Sequence, residues 1–157
     1  MAPISAVGLQ DGWIELLGRV PWEWFATLTF REEISPAAAD KRFRTLISMG
    51  NREIYGPRWS KKRKGIIWAR AIETQRRGVI HMHALLSGVG GLSPLSFRLR
   101  WNELSGFSKI ELPRNSLAVR RYVTKYVRRG GEIDIGGCWP RSLIPASLPS
   151  PPEVRAR

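Results

Sequence analysis

The chain has 157 residues, 43% of them hydrophobic, and this length and composition fit one soluble domain with a sizeable core. Its single cysteine, Cys138, excludes an internal disulfide and a cysteine metal cluster, and the lack of a basic leader or a membrane-spanning apolar run predicts a cytoplasmic protein that binds no membrane. The 26 Lys and Arg residues against 13 Asp and Glu residues give a net charge of +13, which favours nucleic acid as the partner.

The first predicted strand follows an N-terminal extension. We assign residues 1–21 to this extension, with a short helix around residues 13–17. WEWFATLTF, residues 22–30, has the aromatic and β-branched content of a buried strand. Two hydroxyl side chains of this strand share one face, which makes them candidate DNA contacts: Thr27 and Thr29.

A helix and a basic loop come next. Ser35 and Pro36 form an N-cap followed by proline, and the spacing predicts a helix from about residue 36 to 50, or on to Ile54. Its apolar stripe consists of Ala39, Phe43, Leu46, Ile47 and Gly50. The loop after it carries four candidate phosphate contacts, although a solvated surface is the simpler interpretation. These cations are Lys61, Lys62, Arg63 and Lys64.

Residues 66–87 predict a β-hairpin whose turn is Arg76-Arg77-Gly78, with the glycine in the left-handed position. Strand side chains alternate between faces, so the turn sets which residues are opposite one another. The predicted pairs are Gln75 with Val79, Glu73 with His81, and Ala71 with His83.

This register places Glu73, His81 and His83 on one face of the sheet. Two half-buried strand histidines would be the simpler interpretation of the pair. A carboxylate facing buried imidazoles is costly, however, unless a cation or a proton is shared between them. The three residues therefore form a candidate metal site, and Arg76 and Arg77 of the turn are candidate DNA contacts beside it.

The remaining elements complete a recognisable order. Ser93 and Pro94 begin another helix, residues 107–112 predict a strand, and residues 22–112 together give β-α-β-β-α-β, the antiparallel α+β pattern of ferredoxin-like folds. Its first and third strands should be adjacent, which places the two threonines beside the histidine strand. Residues 131–157 predict a short strand and a Pro-rich, weakly ordered tail.

A last helix, capped by Asn115 and ended by Gly130, should cover the open face of the sheet. We expect its apolar stripe to be Val119, Val123 and Val127, with Tyr122 and Tyr126 at the border. Tyrosines at such a border usually have packed rings and solvated hydroxyls. A phenol near cations and a metal can instead attack phosphorus. The nearby cations are Lys125, Arg121, Arg128 and Arg129.

FATLTF, HMH and YVTKY, in this order, resemble the three motifs of the HUH endonucleases, and specifically of rolling-circle replication initiators. The resemblance spans about residues 22–130, which we assign as the endonuclease domain. It implies a nicking and joining enzyme that forms a 5′-phosphotyrosine on single-stranded origin DNA. It also implies Mg²⁺ or Mn²⁺ held by Glu73, His81 and His83, with Tyr122 as nucleophile, Lys125 beside it, and Tyr126 as a second nucleophile.

No helicase domain follows the third motif, so we expect a host helicase and replication machinery as partners, and a monomeric protein. Three alternatives remain. A single-tyrosine transposase has a similar length, and two histidines with one carboxylate also form non-haem iron sites. A non-catalytic basic module would bind single strands by stacking on Trp22, Trp24 and Trp68.

Overall fold

The computed structural model describes residues 6–113, 116–128, 133–139 and 142. The first four elements along the chain are α1 (Ala6–Gly18), β1 (Trp24–Thr29), α2 (Pro36–Tyr55) and β2 (Ile67–Thr74). They are followed by β3 (Ile80–Ser87), α3 (Pro94–Leu104), β4 (Ser108–Glu111), α4 (Ser116–Arg128) and β5 (Ile133–Gly136).

Within the described residues the strands form one antiparallel sheet in the order β4-β1-β3-β2-β5. The segment from β1 to β4 has the β-α-β-β-α-β order, and β1 lies beside β3 at the centre. The predicted α+β, ferredoxin-like fold is therefore confirmed. Strand β5 adds a fifth member at the outer side of β2.

The register of the central hairpin is also confirmed. Gly78 has φ +73°, and the backbone N–H of Gln75 donates to the carbonyl of Val79 at 2.8 Å. Glycine adopts this left-handed conformation without the steric cost that a side chain adds. The turn therefore pairs Glu73 with His81 and Ala71 with His83.

One face of the sheet is closed by α2 and α3. Both helices begin as predicted, since the hydroxyls of Ser35 and Ser93 accept from backbone N–H groups in the first turn. Their apolar stripes pack against alternate residues of β1 and β3, which are fully buried. The core of this face includes Ala26, Leu28, Phe43, Leu46, Met82, Ala84, Leu86 and Trp101.

The opposite face is covered by α4, as predicted, and also by α1, which is longer than the helix expected at residues 13–17. Gln10 of α1 donates to Thr124 of α4 at 2.9 Å. In α4 the residues that pack on the sheet are Val119, Tyr122 and Tyr126. The predicted border position of the tyrosines is wrong, because α4 is rotated so that both rings enter the core.

Several predicted features of the C-terminal part lie outside the described residues. They include the cap Asn115, the helix end at Gly130, most of the Pro-rich tail and the side chains of Val123 and Val127. In the described residues, no helix is long and apolar enough to cross a membrane.

Candidate active site

The candidate site lies on the α1/α4 face, where β1, β2 and β3 carry polar side chains near the hairpin turn. Thr27 pairs with His83 and Thr29 with His81, and the hairpin pairs His81 with Glu73. Paired residues of antiparallel strands project to the same face. The placement of the threonines beside the histidine strand is therefore confirmed.

His83 is the centre of a chain of polar contacts. Its Nε2 lies 3.0 Å from Glu73 Oε2, and its Nδ1 lies 3.4 Å from Thr27 Oγ1. An ionised carboxylate only accepts hydrogen bonds, so Nε2 carries the proton that it donates to Glu73. Nδ1 of the neutral ring is then the acceptor for the Thr27 hydroxyl. These contacts fix both the orientation of the imidazole and its tautomer.

The environment of His83 keeps its ring neutral. Burial lowers the pKa of His83 below its ordinary value of 6.5, against the opposing effects of the hydrogen bond to Glu73 and of that residue's charge. The ammonium of Lys125 and the second imidazole, His81, lower it further. A neutral imidazole is the form that binds a metal ion.

His81 does not join this pair. Its Nδ1 lies 2.9 Å from the side-chain nitrogen of Gln75, at the last position before the turn. Across residues 6–113, 116–128, 133–139 and 142, no three His, Cys, Asp or Glu side chains come close enough to hold a metal ion. Of the three predicted ligands, the structure brings together only Glu73 and His83.

The donor set nevertheless fits a divalent cation. The 3.0 Å between Glu73 Oε2 and His83 Nε2 equals the separation of adjacent ligands on an ion with bonds of about 2.1 Å. Directly paired residues such as Glu73 and His81 have Cβ atoms about 5 Å apart. Rotation of the His81 side chain away from Gln75 is therefore enough to bring a third donor to the pair.

Tyr126 lies on this centre. Its ring is stacked on His83, with centroids 5.1 Å apart and an angle of 26° between the planes. Lys125 Nζ lies 5.2 Å from the centroid of the Tyr126 ring and 3.7 Å from Glu73 Oε2. The predicted neighbour of Lys125 was Tyr122, but the structure places the ammonium over Tyr126.

Tyr122 is held one turn away in a different environment. Its hydroxyl donates to the carbonyl oxygen of His83 at 3.0 Å, with that of Ala69 at 3.3 Å as a second acceptor. Burial raises the pKa of Tyr122 well above its ordinary value of 10.0, and the neighbouring Tyr126 raises it further. This phenol is therefore protonated and directed at the sheet backbone, which is an unfavourable state for a nucleophile.

A cleft of about 570 Å³ opens beside the tyrosines. Its basic side carries Arg121 and Lys125, and its apolar side carries Phe25 and Leu112, with Glu111 between them. Leu112 is 72% exposed, which is unusual for a large aliphatic side chain. The cleft thus offers cations for phosphate and apolar surface for a base. Motif spacing gave no signal for Leu112, Glu111 or Gln75.

Other predicted DNA contacts are in different places. The Thr29 hydroxyl donates to Phe107 O at 2.9 Å and accepts from Phe107 N at 3.1 Å, so it joins β1 to the start of β4. Arg76 is exposed at the hairpin turn, close to the site. The side chains of Arg77 and Arg128, and all of Arg129, lie outside the described residues.

The basic loop is exposed but distant from the histidines. It precedes β2, whereas Glu73 is near the other end of that strand, six residues beyond Ile67. At a rise of about 3.3 Å per residue, this separation is about 20 Å. The loop cations, which share this exposure, are Lys61, Lys62, Arg63 and Lys64.

The stacking surface proposed for a non-catalytic module is contradicted. Trp22, Trp24 and Trp68 are only 9%, 5% and 3% exposed. Trp24 packs on Phe97, and Trp68 on Phe43, within the α2/α3 core. Base stacking needs an accessible ring face. These tryptophans therefore stabilise the fold and do not bind single strands.

Comparison with known families supplies the remaining evidence. The family model for replication-associated proteins of the ORF2 type matches residues 23–131, from the start of β1 to just beyond α4. The chain belongs to this family. Searches of curated proteins and of solved structures found no match. The matched segment of this replication-associated protein contains the histidine hairpin and both tyrosines, so the family assignment and the site concern the same part of the molecule.

Proposed function

We propose that this replication-associated protein is a metal-dependent endonuclease that nicks and rejoins single-stranded origin DNA and thereby initiates rolling-circle replication. The observation that carries the proposal is the contact of a tyrosine ring with an imidazole–carboxylate pair at the edge of a basic cleft. Tyr126 is stacked on His83, which is bonded to Glu73, and Lys125 lies beside all three. Family membership supports the role in replication.

Glu73, His81 and His83 would hold the cation, Mg²⁺ or Mn²⁺. When bound, such an ion acts as a Lewis acid on the scissile phosphate. The protein supplies the remaining elements. The sheet fixes the ligand backbones, Thr27 orients the ring of His83, and Arg121 and Lys125 place positive charge where the DNA backbone enters.

The chemical step is a transesterification. The phenol oxygen forms a bond to phosphorus while the bond from phosphorus to the 3′ oxygen breaks. The phenol loses one proton and the departing 3′ oxygen gains one, so charge and atoms balance without an external energy source. The product is a 5′-phosphotyrosine with a free 3′-hydroxyl, and the reverse reaction rejoins the strand.

We assign the attacking hydroxyl to Tyr126 and give Tyr122 a structural role. Lys125 lies over the Tyr126 ring, where its charge favours phenolate formation. Tyr122, in contrast, would have to leave two backbone carbonyls before it could react. Because Tyr126 is only 4% exposed, DNA entry must displace its ring from His83.

A covalent-capture experiment tests this function. A randomised single-stranded DNA library overcomes the unknown target sequence, and the full chain is incubated with it in Mn²⁺ before denaturation. We expect an adduct that survives denaturation, disappears in EDTA and is lost in Tyr126→Phe. Tyr122→Phe is the matched control and should retain the adduct. An absent adduct, or one formed equally in EDTA, would contradict the proposal.

Single-stranded origin DNA is thus the proposed substrate, and a host helicase and replication machinery are the proposed partners of a monomeric enzyme. The match to a replication-associated family favours an initiator over a transposase. Sedimentation of the chain with and without a DNA ligand tests the monomeric state.

A further inference from the structure

A second basic surface lies on the outer side of α2, facing away from the tyrosine cleft. A groove of about 530 Å³ runs along this helix and is closed at one end by Trp59 of the following loop. Its cations are Lys41, Arg44 and Arg52, and its hydroxyls belong to Thr45 and Ser48. Nothing in the proposed nicking mechanism uses these residues.

The helix repeat explains why these side chains line up. Positions 41, 44, 45, 48 and 52 recur at three- and four-residue intervals, so they form one stripe along the exposed side of α2. Lys41 and Arg52 are 11 positions apart, which is about 16 Å along the helix axis. The buried stripe of the same helix, which includes Phe43 and Leu46, holds it against the sheet. The cations are therefore displayed on a rigid support.

The charge of the groove is not cancelled by its own carboxylate. Asp40 also lines it, but its Oδ2 lies 2.9 Å from Arg44 Nε and its Oδ1 lies 2.8 Å from Arg70 Nη2. Arg44 and Arg70 also contact Asp134 of β5. These pairs hold Arg44 in place, while Lys41 and Arg52 extend the positive surface toward the exposed basic loop, residues 58–64.

We propose that this groove and the adjoining loop bind the phosphate backbone of duplex DNA, as a site separate from the tyrosine cleft. Lys, Arg, Ser and Thr side chains on a regular element are the usual contacts to duplex phosphates. Single-strand sites instead present several aromatic rings for stacking, and the lining of this groove contains only Trp59 among the described residues.

The two sites are on opposite faces of one sheet. A sheet layer and a helix of about 10 Å diameter separate the outer side of α2 from His83. One molecule would thus hold duplex DNA on the α2 side while a single strand occupies the cleft. This proposal goes beyond the nicking reaction and does not depend on it.

Fluorescence anisotropy in EDTA tests the duplex site without any nicking. The probes are a labelled duplex of about 20 base pairs with blunt ends and its labelled single strand, each titrated with the full chain between about 50 and 200 mM KCl. Lys41→Gln with Arg52→Gln removes two cations and keeps helix propensity. The matched control, Arg19→Gln with Arg120→Gln, removes two cations from the α1/α4 side.

We expect the groove variant to bind the duplex at least roughly ten-fold more weakly at about 100 mM salt. Its slope of log affinity against log salt should fall by about two, one for each lost phosphate contact. The control should lose less affinity for the duplex. Equal losses in the two variants would overturn the proposal, and so would a larger loss for the single strand than for the duplex. Unchanged thermal unfolding of both variants confirms that they fold.

Discussion

The two faces of the sheet are built from alternate residues of the same strands, yet they are covered to different extents. On the α2/α3 face, Ala26, Leu28 and Met82 are fully buried beneath aromatic side chains. On the α1/α4 face, the apolar cover reaches Ala71 and Leu85 but leaves the hairpin end half-exposed. The closed face supplies stability, and the incompletely covered face leaves polar side chains accessible to a substrate.

The difference follows from one feature of each face. Helix α2 extends over 20 residues with a continuous apolar stripe, so it covers its side of the sheet fully. On the other face, β1, β2 and β3 place Thr27, Glu73 and His81 where an apolar helix could not pack without burying unpaired polar groups. Residues that weaken packing are therefore the ones that give the site its chemistry.

The largest expected effect is on catalysis, from the open face. His81→Ala with His83→Ala should reduce nicking by about 10³-fold, because the cation and its charge stabilisation are lost. The fold should survive, and circular dichroism checks this. EDTA should reduce wild-type nicking equally, whereas full activity of the double variant would show that the histidines do not act in the reaction.

The closed face should respond in stability instead. Trp101 is fully buried, packs edge-on against Phe30 and donates its indole N–H to Thr29 O at 3.0 Å. Trp101→Ala should lower the free energy of unfolding by about 3–5 kcal/mol in urea titrations. His81→Ala should change it by less than about 0.5 kcal/mol. Similar losses in the two variants would remove the distinction between the faces.

A smaller effect is expected at Tyr122, where the α1/α4 face is still closed. Tyr122→Phe removes the hydrogen bond to the His83 carbonyl and should lower the free energy of unfolding by about 1 kcal/mol. Folding raises the pKa of this phenol, so its protonated form stabilises the protein in full below about pH 10. That contribution is lost as the pH rises further. Wild-type stability should therefore fall above about pH 10 more steeply than that of Tyr122→Phe.

The smallest effect on catalysis should come from the basic loop. Replacing Lys61, Lys62, Arg63 and Lys64 with alanine should weaken DNA binding and flatten its dependence on salt. The nicking rate at saturating DNA should stay within a factor of about two, since the loop lies about 20 Å from Glu73. An unchanged slope of log affinity against log salt would indicate that the loop is only a solvated surface.

Local chemistry made much of this structure predictable. Gly78 and the three-residue turn fix the hairpin register, and Ser35-Pro36 and Ser93-Pro94 fix two helix starts. These features depend on neighbours in the sequence, so a single chain contains the information. The shared face of Glu73, His81 and His83 follows from the same register.

Orientation across long distances was not predictable in this way. Helical periodicity places Tyr122 and Tyr126 on α4, but it does not define how that helix rotates against the sheet. The rotation depends on α1, whose Leu16 and Leu17 share the core with Val119. It also depends on β5 and Trp139, which packs on Trp22. Side-chain rotamers, such as the turn of His81 toward Gln75, are equally dependent on the folded environment.

The central claim is that Tyr126, on the centre formed by His83 and Glu73, is the residue that joins DNA. Peptide mass spectrometry of the trapped adduct tests it directly, because trypsin cleaves after Arg121, Lys125 and Arg128 and so separates the two tyrosines. Attachment of the nucleotide to the peptide of residues 126–128 is the predicted result. Attachment to residues 122–125 alone would contradict the claim, since it would require the buried Tyr122 hydroxyl to leave the sheet backbone and react.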